Sequence, residues 1–348
     1  MNSDPNGEYA ASIPVDPNGK PLKRSDKRKA VRSPERAERL RRQAERKQAA
    51  ERQRLKELKE RLPPKRDRFT PVKRLRRRAV GSDQPLLLGH HGSARERLVP
   101  ARAEVFRLVC WNIEDGLDID GTIEGLTTHP NLMGAAAICL QEMDPVGVEQ
   151  IAIRLGLNYV YLESSKDERS ERGFGNAVLS PHPLTNCQAV PLPHVAKAYG
   201  RPRAAVAATV EWPTAPSSDR MNGSTKSTPV SVLSIHAEIP SLSLSKRVAQ
   251  YTAAAAKAVA SNPDHLLLAG DFNTTTITSV VALDELYELF ELDRLTHPAG
   301  PSLRRAGRLF YLDHIYGRGT DVAAVGVERE VIASDHWPLW VDIKPTQK

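Results

Sequence analysis

Short apolar, β-branched runs recur along the chain after residue 101, at 105–113, 136–141, 158–162, 174–180, 204–211, 229–236, 265–270, 309–316 and 337–343. Runs of this length, bounded by turn formers, read as strands. Three stretches with helical spacing, 145–155, 242–261 and 277–290, fall between them. Strands outnumber helices, and several neighbours join with no helix between. That pattern predicts an α+β chain with mixed or antiparallel sheets rather than a doubly wound parallel sheet. Residues 212–229, rich in Ser, Thr and Pro, predict a long surface loop.

The first hundred residues have a different texture. Residues 1–34 are polar and rich in Pro, Asn and Lys, as in disordered segments. Good helix formers, with Glu38/Arg42 and Glu57/Arg61 spaced i,i+4, predict a charged helix over 34–62. Its apolar positions are too sparse for a sustained heptad. Pro63-Pro64 ends it, and a basic cluster follows at 73–78. The expected organisation is a basic, largely disordered tail over 1–100 and a folded domain over 101–348.

Charge follows the same division. The tail holds 28 Lys and Arg against 13 Asp and Glu, and the rest of the chain 22 against 29. The net charge of +8 is therefore a property of the tail, which could recruit nucleic acid or an anionic lipid surface. The three cysteines are too few and too scattered for a disulfide framework or a zinc site. There is no secretory h-region and no run long enough to cross a bilayer. A soluble, cytoplasmic monomer is expected.

Polar residues collect where the strands end. Trp111-Asn112-Ile113-Glu114, Gln141-Glu142, His236, Gly270-Asp271-Phe272-Asn273, Asp313-His314 and Ser334-Asp335-His336 all sit at such positions. Strand ends can hold side chains rigidly around one cleft. Carboxylates, amides and imidazoles without a cysteine cluster suit Mg²⁺, with Mn²⁺ as its substitute, better than zinc. Gly270 ahead of Asp271 and Asn273 suggests a close backbone approach to a ligand. Singly, each motif has a bland reading as a turn or a helix cap; their joint order carries the weight.

That order resembles the endonuclease/exonuclease/phosphatase superfamily of DNase I-like metal-dependent phosphoesterases. The matching segments are 110–113, 139–142, Gly173–Ser180, 234–236, 270–273, 312–315 and 334–339, and the likeness covers roughly 104–344. The resemblance implies a four-layer sandwich, with two packed β-sheets flanked by helices. It implies a phosphoester hydrolase acting by in-line attack of activated water, a phosphodiesterase or phosphatase. The alternative is an endo- or exonuclease recruited by its tail, and a lesser one an inactive binding scaffold. Glu142 would be the main metal ligand, with Asn112 beside it and Asp335 close to the same ion. Asp271 and Asn273 would orient the water and the scissile phosphate. His336, held by Asp313, would bond a phosphate oxygen, and His236 would bind phosphate or protonate the leaving oxygen. Asn176 and Arg203 would contact substrate.

Three positions depart from the family pattern. Glu114 stands where nuclease members often carry Asp or Gln, Ala237 replaces a common Leu, and Trp337 replaces a common Arg. Trp337 either packs at the cleft rim or stacks on a substrate ring. The substrate class stays open. Aromatic residues are 5% of the chain, little for a stacking platform. The acidic balance after residue 101 disfavours a long DNA groove. Arg201, Arg203, Lys246, Arg247, Arg304, Arg305 and Arg308 fall near the expected mouth, where surface solvation is the bland reading of each.

Overall fold

Side chains of β3 (Phe106–Asn112) alternate between two apolar environments. Phe106, Leu108 and Cys110 enter one buried cluster, Val109 and Trp111 another. A strand that is apolar on both faces must be covered on both, and the layers follow from that requirement. The computed structural model describes residues 42, 77–79, 86–91, 105–167, 172–196, 202–213 and 227–345. Everything below belongs to the compact unit Leu55–Lys348.

The first sheet contains β3 with β1 (Arg77–Ala79), β2 (Leu87–His90), β4 (Ala137–Met143), β5 (Asn158–Asp167), β6 (Gly173–Ser180), β15 (Thr320–Val327) and β16 (Leu339–Pro345). Its order is β1-β5-β6-β4-β3-β16-β15, with β2 also on β5. The second contains β7 (Leu184–Pro191), β8 (Ala204–Pro213), β9 (Ser227–His236), β10 (Leu266–Asp271), β11 (Asp293–Arg294) and β14 (Asp313–Arg318), in the order β11-β14-β10-β9-β8-β7. Between β11 and β14 in sequence, β12 (Leu303–Arg305) and β13 (Arg308–Phe310) form a separate hairpin. Helices α1 (Ile119–Thr128) and α2 (Pro145–Leu155) cover the first sheet, and α3 (Leu244–Val259) and α4 (Ile277–Glu288) the second. The apolar inner faces of both sheets meet in one cluster. This is the four-layer α+β sandwich expected from the sequence.

Strong local signals place the elements that were expected. Asp144 caps α2 by accepting from Gly147 N, Pro145 follows at the first helical position, and Gly156 ends the helix at φ 63°. Weak signals hide the others. Helix α1 reads IDGTIEGLTT, whose glycines and threonines lower its propensity. The edge strands β7 and β15 interrupt their apolar positions with Asn, Gln, Asp and Gly. The run expected at 309–316 is two strands, β13 and β14. Within the stretch expected to be tail, β1 and β2 pair with β5. Of the loop expected at 212–229, the ends belong to β8 and β9, and 214–226 lie outside the described residues. So do the helix expected over 34–62, Arg42 apart, the basic cluster up to residue 76, and Arg201. Among the described residues no helix is long and apolar enough to cross a membrane.

Gly270 has φ 155°, and a Cβ there would lie 1.8 Å from the Ile235 carbonyl oxygen of the neighbouring strand. The close approach expected at this glycine is therefore to β9. Gly270→Ala forces β9 and β10 apart one pair before the site-bearing end of their ladder and is expected to cost about 3 kcal/mol or more. A drop in the urea midpoint at unchanged m-value measures it; an unchanged midpoint would show that the strands part freely.

Candidate active site

Strand alternation continues the inner faces of both sheets into polar residues at one edge of the sandwich. Two residues beyond the core members Cys110, Cys139 and Ala269 stand Asn112, Gln141 and Asp271. By the same count Asn176 stands two from Val178, and Asp313 two from Ile315. His236 continues the row of Val230 and Val232. Pairing sets three of them side by side, since Asp271 is in register with His236 on β9 and with Asp313 on β14. Across the layers, Asn112 Nδ2 donates to Asp271 Oδ2 at 3.1 Å and Gln141 Nε2 to Ser234 Oγ at 3.0 Å.

Glu142 would point to the opposite face if β4 stayed regular. A register shift between Gln141 and Met143 interrupts the ladder there, and Glu142 adopts φ 60°. Bulges re-aim side chains in this way. The carboxylate now accepts from Asp115 N at 2.9 Å and lies 3.9 Å from His236 Nε2. Glu114, Asp115 and Asn273 also have left-handed backbones, with φ between 51° and 55°. Such conformations concentrate at functional sites, where surrounding structure holds them. Asn273 is held by three bonds: its N donates to Asp271 Oδ1, its Nδ2 to Ala237 O, and its carbonyl accepts from Arg247 Nη1.

His336 is fixed from both sides. Its Nδ1 donates to Asp313 Oδ2 at 2.7 Å, and Ser302 Oγ donates to the same oxygen at 2.5 Å. Trp111 Nε1 donates to its carbonyl, while Ser334 Oγ bonds both His336 N and Asn112 O. Nε2 is left facing the site, 4.0 Å from Asp271 Oδ2 and 3.9 Å from Asp335 Oδ1. Opposite it, Arg203 Nη1 lies 3.0 Å from His236 Nε2, and the arginine packs over Phe174. Arg203 Nη2 donates to the buried Glu238 at 3.5 Å.

The electrostatics match this crowding. Burial, with Asp115 and Asp335 adding to it, pushes Glu142 up to about 7. Burial and then Asp313 push Asp271 up to about 7 as well. Burial alone would depress His336, but Asp313, Asp335 and Asp271 outweigh it and hold the imidazole well above its usual value. Among the described residues, the compact group with ligand atoms mutually within 4.8 Å is Asp271, Asp313 and His336. Glu142 and Asn112 face that group. Asp335, its side chain 43% exposed, stands at the rim. A surplus of buried carboxylate charge is what a divalent cation relieves, and the buried Asp313 Oδ1 lacks a hydrogen-bond partner. The donor set fits a hard cation.

The ten residues given metal, catalytic or substrate roles in the sequence reading lie at this edge. Asn176 donates to Ala204 O and leaves its own buried Oδ1 without a partner. Glu114 accepts from Asp335 N, which fixes the loop before His336. Trp337 is buried in the inter-sheet core with Arg329 over its ring, so the reading in which it stacks on substrate is corrected. Arg247 is buried too, not a solvated surface group, and clamps the Asp271–Asn273 turn with Tyr251. Ser302 and Glu238 escaped notice, because a single serine in a loop and a lone Glu after His236 carry no local signal.

This edge, at the open end of a four-layer sandwich, defines a hydrolase-like site built from two sheets. The Endonuclease/Exonuclease/phosphatase family profile matches residues 110–336, and the chain belongs to that family. Solved structures share the fold. The endonuclease/exonuclease/phosphatase from Beutenbergia cavernae is 17% identical, covering 70% of this chain and 72% of its own, at TM-score 0.52. The human Nocturnin catalytic domain with bound sulfate is 18% identical over 71% and 96% of the chains, TM-score 0.52. TDP2 of D. rerio with a single-strand DNA product is 15% identical over 69% and 99%, TM-score 0.51. No curated protein matches the chain.

Proposed function

We propose that this phosphoester hydrolase is metal-dependent, with Glu142, Asn112 and Asp335 holding Mg²⁺ or Mn²⁺. The observation that carries the reading is the Ser302–Asp313–His336 relay placed against Asp271, with the Glu142 carboxylate across from them. A bound divalent cation would neutralise charge on the non-bridging phosphate oxygens. Asp271, braced by Asn112 and by the Asn273 amide, takes a proton from the attacking water. His336 Nε2 bonds a phosphate oxygen, and Asp313 keeps the imidazole in one tautomer and orientation. Arg203 and His236 flank the opposite side, where Arg203 neutralises phosphate charge and His236 protonates the leaving oxygen. Asn176 offers its free oxygen to the substrate. The ssDNA product in D. rerio TDP2 supports including nucleic-acid diesters among the substrates tested.

Chelation tests the metal. Excess EDTA is expected to abolish hydrolysis of bis-p-nitrophenyl phosphate, and Mg²⁺ or Mn²⁺ to restore it. Full turnover in excess chelator would remove the metal from the mechanism. Absence of turnover with every divalent ion would favour an inactive scaffold.

A further inference from the structure

Glu114, Asp115 and Gly116 stand in succession in the left-handed region, at φ 52°, 55° and 59°. Residues with a Cβ enter that region singly, because Cβ crowds the following carbonyl, and here two neighbours do so together. Gly116 N donates to Ile113 O at 3.0 Å and Leu117 N to Glu114 O at 3.1 Å. An ordinary turn makes such bonds at negative φ as well, so they do not account for the strain.

The left-handed form adds a set of outward contacts. Glu114 N donates to Asn112 Oδ1 at 3.1 Å, Asp115 N to Glu142 Oε2 at 2.9 Å, and Asp335 N to Glu114 Oε2 at 3.0 Å. One short turn thus touches each of the three residues assigned to the cation. With Oε2 so occupied, Glu142 presents Oε1 on the His236 side, 3.9 Å from Nε2.

Arg172, the residue before β6, grips this turn from outside. Its Nη2 donates to Gly116 O at 3.0 Å, and its Nε donates to Asp144 Oδ2. Asp144 is itself fixed, since its Oδ1 accepts from Gly147 N as the cap of α2. That helix is rooted in the core by Val148, Ile151 and Ala152. The guanidinium therefore ties the strained turn to a rigid element, through two donors at a set spacing that a lysine ammonium does not offer. An ion pair at the surface, with the Arg172 side chain 37% exposed, is worth little by itself. It also leaves the bond to the Gly116 carbonyl without a reason.

We propose that Arg172 is a positioning residue for the divalent cation: it holds the left-handed turn, and the turn holds Asn112, Glu142 and Asp335 in the arrangement that receives the ion. The proposal rests on the metal reading above. Ligands ordered before the ion arrives bind it more tightly, because their freedom is already lost in folding.

Binding of Mn²⁺ to the full chain tests this without turnover. Free Mn²⁺ is followed by its EPR signal during a titration with no substrate present. Glu142→Gln marks the site, and the binding that this variant removes is the binding compared. Arg172→Gln is expected to raise the Kd about 10–100-fold, the usual loss when a partner that orients a metal ligand is removed. Arg172→Lys should recover part of that loss. Thermal unfolding without metal is measured beside each titration. Should Arg172→Gln fail to fold, Asp144→Asn carries the same comparison, since Asn still caps α2 while the charged partner of Arg172 is gone. A wild-type Kd in folded Arg172→Gln, or lowered stability with normal Mn²⁺ affinity in what remains folded, overturns the proposal. Wild type and Glu142→Gln binding Mn²⁺ alike sinks the metal reading, and this proposal with it.

Discussion

Replacing His336 by Ala is expected to lower kcat about 10²–10³-fold with a smaller change in KM, the usual loss when one preorganised charge-stabilising donor is removed. Three carboxylates hold the imidazole above its usual pKa, which favours a proton on it and suits it to the negative charge that develops in the transition state. Asp313 acts through it, by the 2.7 Å bond to Nδ1. Asp313→Asn should therefore reduce kcat by itself, yet add little to His336→Ala in the double variant. A purely structural role for the pair predicts the opposite signs: lower thermal stability, and normal turnover in whatever remains folded. Turnover per folded molecule, measured beside thermal unfolding for both single variants and the double, separates the two. Normal turnover in folded His336→Ala protein would dismantle the site.

Asp271→Asn is expected to be comparably severe. A positioned general base contributes about 10²–10⁴-fold, and Asp271 accepts from Asn273 N and Asn112 Nδ2 as an acceptor-only carboxylate. An amide at that position must turn its NH₂ toward one of those donors. The pH profile supplies a second readout. Burial and Asp313 raise Asp271 to about 7, and a base works only after losing its proton. Activity should thus climb with rising pH along an acid limb whose midpoint lies no higher than about 7, since a nearby cation draws it down. In Asp271→Asn protein that limb should vanish. Its persistence would hand the base role to another group.

Much of this site was legible because polar residues ending apolar runs are visible in sequence, and alternation assigns them to a face. Asn112, His236, Asp271 and Asp313 could be placed that way, while their roles came only from the joint order of the motifs and the resemblance it carries. Glu142 could be named but not aimed, because its direction depends on a bulge and a left-handed backbone that Gln-Glu does not announce. Arg247 looked like surface charge on an amphipathic helix; only the docking of α3 behind the Asp271–Asn273 turn turns it into a buried clamp. Ser302 is a single hydroxyl in a loop, and its contact with Asp313 exists because the hairpin base closes beside β14. The fold's edge strands were missed for a related reason: β1 and β2 gain their conformation from β5, not from their own composition.

The placement of β16 bears on when a newly made chain becomes dangerous to phosphoesters around it. This strand is synthesised after every other described element, yet it lies inside the first sheet, between β3 and β15, locked to β3 by the buried Arg107–Asp342 pair at 2.6 Å. The residues just before it deliver His336. A chain emerging from the ribosome can therefore assemble β10 and its carboxylate early and still lack the imidazole and the strand that seats it. A chain cut before Ser334 lacks both the imidazole and the strand that seats it, and is expected to be inert.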